Sequence, residues 1–120
     1  MRWLLVLAVC AACKQQAEVP PPGPTPPKPA MPAIEAKRAR DACQDYVTKA
    51  CACAETVPTM KQPCRDARAL SDAIQTSLEV GASDDATRRD ALQTHGAVRN
   101  IAKACIEDLA RLPAAGCVDR

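Results

Sequence analysis

The sequence of 120 residues predicts an all-α protein, a small disulfide-stapled three-helix bundle preceded by an apolar N-terminal segment and a proline-rich linker. Three observations support this prediction. Apolar residues recur at intervals of three and four in three segments, and no segment alternates as a strand does. Six of the eight cysteines lie beyond residue 40, and eight of the eleven prolines lie between residues 14 and 33. A chain of this length forms one small domain at most.

The first two helices are predicted from stripes of apolar residues. The stripe of the first helix is Ala36, Ala39, Cys43, Val47, Ala50 and Ala54. The stripe of the second helix is Cys64, Ala67, Leu70, Ile74 and Leu78. We expect the second helix to begin between Thr59 and Pro63 and to stop at Gly81, because glycine is a common C-terminal cap.

The third helix is predicted to begin after Ser83, a good N-cap residue that is followed by two acids at the positive end of the helix. Its stripe has a sevenfold spacing, with Ala91, Val98, Cys105 and Leu112, and Ala102 and Leu109 complete the same face. Pro113 and Gly116 end the helix. Because the connections between helices are short, we expect an up-down-up bundle with antiparallel neighbours.

The predicted core is poor in bulky side chains, since the chain has no Phe and its only aromatic residues are Trp3 and Tyr46. A small exported domain with such a core commonly depends on disulfides. We therefore expect three disulfides among the six cysteines of the folded part. These cysteines are Cys43, Cys51, Cys53, Cys64, Cys105 and Cys117.

The cysteine spacing does not decide between the 15 possible pairings, but helix geometry ranks them. Cys51 and Cys53 project about 160° apart on a helix, so that one faces the second helix and the other faces the third. The preferred set is Cys53–Cys64 at the first turn, Cys51–Cys105 at equal height, and Cys43–Cys117 with the tail folded back along the bundle. One alternative is a copper site at Cys51 and Cys53, which requires an unwound segment so that both thiolates converge. The other is a thiol-exchange site there, which requires a thiol of lowered pKa.

The N-terminal segment, residues 1–13, has the order of parts of a secretory signal. A positive start at Arg2 precedes an apolar run of about ten residues, too few to cross a hydrocarbon core of about 30 Å. The small residues Ala11 and Ala12 immediately precede Cys13, and this pattern resembles that of a bacterial lipoprotein precursor. That resemblance implies cleavage before Cys13 and lipidation of Cys13, which then anchors the mature chain in the membrane. Cys10 is the alternative lipidation site, although the bulky Val9 precedes it.

Residues 14–33 form the proline-rich linker, which we expect to be disordered and extended, because proline joins neither a helix nor a central strand. A polyproline spacer of this length holds the folded domain, residues 34–120, up to roughly 60 Å from the membrane. The alternative for the linker is a proline-rich docking site for a partner.

The remaining features argue against nucleic-acid binding and catalysis. The net charge is only +2, with no clustered basic face and almost no aromatic side chains for base stacking. His95, the only histidine, falls on or beside the buried stripe of the third helix, where a packed role is the usual one. We therefore predict no catalytic residue, no cofactor, no metal ion and no nucleic-acid partner.

The sequence as a whole predicts a lipoprotein of the cell envelope, facing the periplasm or the cell surface. We expect its disulfide-stabilised helical domain to be a non-catalytic interaction module that binds an envelope protein. The copper or thiol module is the alternative, and a small enzyme inhibitor would have the same architecture.

Overall fold

The computed structural model describes residues 20, 21, 23, 24 and 26–118. Within these residues the chain forms three α-helices and no strand: α1 (Ala33–Cys53), α2 (Lys61–Ala82) and α3 (Arg88–Arg111). Short 3₁₀ turns at Pro58–Met60 and Pro113–Ala115 precede α2 and follow α3. The predicted all-α, disulfide-stapled three-helix bundle is confirmed.

Each helix packs against the other two, and the predicted stripes form the core between them. All four residues of the sevenfold pattern on α3 are buried, from Ala91 to Leu112. Tyr46 of α1 is also buried at 5 % exposure, although the sequence pattern did not place it in the core. Ile74 and Val98 are the largest aliphatic side chains that are fully enclosed, so the core is as thin as the composition predicts.

The start of α3 differs from the prediction. Ser83 does not cap α3 but ends α2, where its amide donates to the carbonyl of Val80. Thr87 is the N-cap, and it forms a capping box with Asp90. The Asp90 amide donates to Thr87 Oγ1 at 3.1 Å, and the Thr87 amide donates to Asp90 Oδ2 at 2.9 Å. This reciprocal pair satisfies two amides at the start of the helix, which a lone serine cap cannot do.

Gly81 also has a different role from the predicted cap. It lies buried in the last turn of α2, and a Cβ atom there would overlap Oγ1 of Thr94 on α3. Gly81 therefore permits the close approach of α2 and α3. Gly116 has a positive φ, 92°, and it turns the tail after α3 so that the Cys117 amide donates to the Leu112 carbonyl.

The last residues of the linker lie against the bundle. Pro32 has φ −54° and ψ 133°, close to polyproline geometry, and α1 begins at the next residue. Met31 packs against the core, and the Lys28 ammonium donates to the carbonyl of Ser83 in the α2–α3 connection. The predicted signal segment and both candidate lipidation sites, Cys10 and Cys13, lie outside the described residues. Of the helices described, none combines the length and the apolar character needed to cross a membrane.

Candidate functional site

All six predicted cysteines form disulfides, but the preferred pairing is wrong in each of its three bonds. The bonds are Cys43–Cys105, Cys51–Cys64 and Cys53–Cys117, with Cα–Cα distances of 5.0, 4.6 and 5.5 Å. The first bond joins α1 to α3, the second joins α1 to α2, and the third joins α1 to the tail after α3. Together they tie every helix and the C-terminal tail to α1.

Cys51 and Cys53 do face different partners, but in the reverse order from the one predicted. Cys51 lies against the start of α2, and Cys53 lies against the tail. The helical twist fixes only that the two side chains diverge. Which of them faces α2 depends on whether α2 lies to the left or the right of α1, and the periodicity of one helix does not determine that handedness.

The observed position of Cys105 explains why two of the predicted pairs, Cys51–Cys105 and Cys43–Cys117, are wrong. Cys43 lies in the middle of α1, whereas Cys105 lies near the end of α3, so α3 is shifted along the bundle relative to α1. The assumption that Cys105 lies at the height of Cys51 was therefore wrong. Because the tail turns at Gly116, it stays at the end of the bundle and does not fold back to Cys43.

The three disulfides differ in their access to solvent. Cys43 and Cys105 are both fully buried, at 0 % exposure. Cys64 is buried at 8 %, and its partner Cys51 is half-buried. Cys53 and Cys117 are both half-buried, so neither cysteine of this bond is fully shielded from solvent.

A cleft of about 680 Å³ opens beside the Cys53–Cys117 bond, and we call it the disulfide cleft. Its apolar side includes Val57, Leu109 and Leu112, and Lys49 and Glu55 contribute charges. Its other lining residues are Thr48, Ala52, Cys53, Thr56, Pro113, Gly116, Cys117 and Val118. Both half-buried cysteines thus line a cavity whose volume lies within the range of roughly 300–1,000 Å³ that is typical of small-molecule sites.

A second, more open cavity of about 400 Å³ lies between α1 and α3, and we call it the α1–α3 groove. Its apolar residues are Ala39, Val98, Ala102 and Ile106. Its charged residues are Glu35, Arg38, Arg99, Lys103 and Glu107. Ile106 is 57 % exposed, although it is among the largest apolar side chains of α3. The groove therefore presents an apolar strip between charges of both signs.

An ion pair crosses one end of this groove. The Arg99 guanidinium donates from Nε and Nη2 to the two carboxylate oxygens of Glu35, the second contact at 3.3 Å. This hydrogen bonding lowers the pKa of Glu35 below its ordinary value and raises the pKa of Arg99. At the other end, Lys103 Nζ lies 3.7 Å from Glu107 Oε1. Such exposed pairs contribute little to stability, and they orient the charged rim.

His95 is buried at 8 % exposure on α3, as the sequence predicts. No group of three or more His, Cys, Asp or Glu side chains within the described ranges is arranged to hold a metal ion. Cys51 and Cys53, the sulfurs of the copper hypothesis, bond to different partners and do not converge. Within the part of the chain that the structure describes, the disulfide cleft and the α1–α3 groove are therefore the candidate sites.

Comparison with known proteins places this chain in no group: no family, no curated protein and no solved structure matches it.

Proposed function

We propose that this protein is a lipid-anchored, extracytoplasmic interaction module without catalytic activity. The observation that carries the proposal is that all six cysteines of the folded domain are joined in disulfides. Disulfides of this density persist in secreted and envelope proteins and are rare in the reducing cytosol. The lipoprotein-like segment that ends at Cys13 supplies the membrane anchor that this location calls for.

The α1–α3 groove is the surface that we propose for the interaction, and a helical segment of another envelope protein is the proposed occupant. Two parallel helices with an apolar strip between them form a natural seat for the apolar face of a third helix. Ile106 offers an exposed side chain to such a face. Charges of both signs along the rim, Arg38 and Glu107 among them, fit a helix that has a mixed polar face.

The anchor is tested by metabolic labelling with palmitate in a bacterial host. We expect Cys13→Ser to abolish incorporation of the label and Cys10→Ser to leave it intact. Label that survives in Cys13→Ser and disappears in Cys10→Ser would move the anchor to Cys10. Absence of label in the wild-type protein would refute lipid anchoring altogether.

The groove is tested by placing a photo-crosslinking amino acid at position 106 in the native envelope. Position 80 is the matched control, because Val80 is 49 % exposed on α2 and lies outside the groove. We expect one crosslinked adduct of defined mass at position 106, and its loss when Ala102→Glu introduces a charge into the groove. Equal crosslinking at both positions would contradict the groove as the binding surface.

A further inference from the structure

We propose that the Cys53–Cys117 disulfide is a thiol-exchange site, opened by a low-molecular-weight peptide thiol that enters the disulfide cleft, while the other two disulfides stay closed. This proposal goes beyond the interaction role, and either can fail without the other.

The first argument is access. Thiol–disulfide exchange requires a thiolate to reach one sulfur of the bond, so its rate depends on exposure. Cys43–Cys105 is closed to attack, since both residues are fully buried. Cys53 and Cys117 are both half-buried and line an open cleft of about 680 Å³. Cys53–Cys117 is thus the bond of the three in which neither cysteine is buried, and both of its cysteines line the cleft.

The second argument concerns the cleft itself. It combines an apolar wall at Val57 and Leu109 with the polar side chains of Thr48 and Lys49. A peptide thiol carries apolar methylenes, amides and charges, and this mixed lining suits it. Lys49 and Glu55 also bring charges of both signs to this lining, and a zwitterionic peptide thiol carries charges of both signs.

The third argument fixes the direction of the step. Cys53 is the last residue of α1, where the negative end of the helix dipole disfavours a thiolate. Cys117 lies in the tail beyond α3 and is the better leaving group, because the sulfur that more readily carries negative charge leaves faster. The incoming thiolate therefore bonds to Cys53 Sγ, the Cys53–Cys117 bond breaks, and its electron pair leaves on Cys117 Sγ, which takes a proton from water.

The fourth argument is that the bundle survives this step. Cys51–Cys64 still joins α1 to α2, and Cys43–Cys105 still joins α1 to α3. Leu112 remains buried against the core, so the segment that is released begins after it. Exchange at Cys53 therefore frees the end of the tail and leaves the packing of the helices in place.

The experiment incubates the oxidised protein with glutathione under native conditions, quenches with acid, labels free thiols with N-ethylmaleimide and maps the peptides by mass spectrometry. We expect a glutathione adduct on Cys53 and a maleimide label on Cys117, formed at least an order of magnitude faster than opening of either other bond. Equally fast opening of Cys51–Cys64 would overturn the selectivity. An adduct on Cys117 in place of Cys53 would overturn the direction.

One variant separates local exchange from exchange through unfolding, and a second tests whether the adduct requires this disulfide. Gly81→Ala destabilises the opposite end of the bundle, where a Cβ atom would collide with Thr94. We expect its exchange rate at Cys53 to equal that of the wild type. A rate that rises with the loss of stability would show that the bond opens only in the unfolded chain, and the proposal would then fail. The double variant Cys53→Ala/Cys117→Ala should stay folded and acquire no adduct.

Discussion

The two ends of the bundle are held together in different ways. The sulfur end, formed by the end of α1, the start of α2 and the tail after α3, contains two disulfides, Cys51–Cys64 and Cys53–Cys117. The linker end, formed by the start of α1, the α2–α3 connection and the start of α3, contains no disulfide among its described residues. Non-covalent contacts hold it instead: the Glu35–Arg99 ion pair, the Thr87–Asp90 capping box and the contact of Lys28 with Ser83.

This difference predicts which end of the bundle opens first. At the linker end, α2 and α3 approach closely at Gly81, so packing and capping can act over a short distance. The sulfur end also has apolar side chains in or against the core, among them Met60, Val57 and Leu112, and two disulfides cross-link the elements around them. We therefore expect amide hydrogen exchange to show local opening at the linker end at a lower free energy than around Cys43–Cys105.

The largest expected effect is the loss of the buried disulfide that lies between the two ends. Cys43→Ala/Cys105→Ala removes a cross-link that spans 62 residues, and we expect it to lower the free energy of unfolding by about 4 kcal/mol. Cys51→Ala/Cys64→Ala, which removes a cross-link over 13 residues, should cost about 3 kcal/mol. Urea unfolding measures both, and a larger loss in the second variant would contradict the importance of the long loop.

The next effect comes from the close approach of α2 and α3. Gly81→Ala should lower the free energy of unfolding by about 1–3 kcal/mol, because the added methyl overlaps Thr94. Gly96→Ala is the matched control within α3, where nothing lies within 4 Å of an added Cβ atom. It should raise stability by about 0.5–1 kcal/mol, since alanine favours the helix. Adding Thr94→Ala to Gly81→Ala should restore much of the lost free energy of unfolding. If the double variant is no more stable than Gly81→Ala alone, the strain lies elsewhere.

A smaller effect distinguishes the observed helix cap from the predicted one. Thr87→Ala removes the hydroxyl that accepts from the Asp90 amide and should cost about 1 kcal/mol in thermal or urea unfolding. Ser83→Ala should have almost no effect, because the cap of α3 lies at Thr87. Equal losses in the two variants would show that Ser83 also supports the start of α3.

The smallest effect is the acid sensitivity of the linker end. Hydrogen bonding by Arg99 lowers the pKa of Glu35 below its ordinary 4.5, and the backbone amide and hydroxyl of Thr87 lower the pKa of Asp90 below 3.8. Each carboxylate stabilises the fold above its ordinary pKa, and this stabilisation is lost as the pH falls through the lowered value. Glu35→Gln and Asp90→Asn should each flatten the fall of the melting temperature below pH 4.5, and an unchanged slope would contradict the assignment.

The helices and the core could be predicted from the sequence because helical periodicity is a local property of the chain. The capping box could also have been predicted, because Thr87 followed three residues later by an acid is a recognised pattern for the start of a helix. The role of Gly81 was not, because it depends on Thr94 of another helix. The cysteine pairing also depends on the handedness of the bundle and on the shift of α3 along α1, neither of which one stripe of residues encodes.

The candidate sites could be predicted only in part. The six disulfide cysteines follow from their even number and from the thin core, whereas the differences in their exposure follow from the packing. The α1–α3 groove exists because Ala39 and Ala102 leave space between two helices, and their facing positions are set by the same shift of α3.

The contacts of Met31 and Lys28 with the bundle hold the end of the linker beside the start of α1. From there the 21 residues of α1 run for about 30 Å to Cys53. Cys53 and Cys117 thus lie at the end of the bundle remote from the linker, so anchoring at Cys13 as proposed would present this disulfide on the side of the domain away from the membrane.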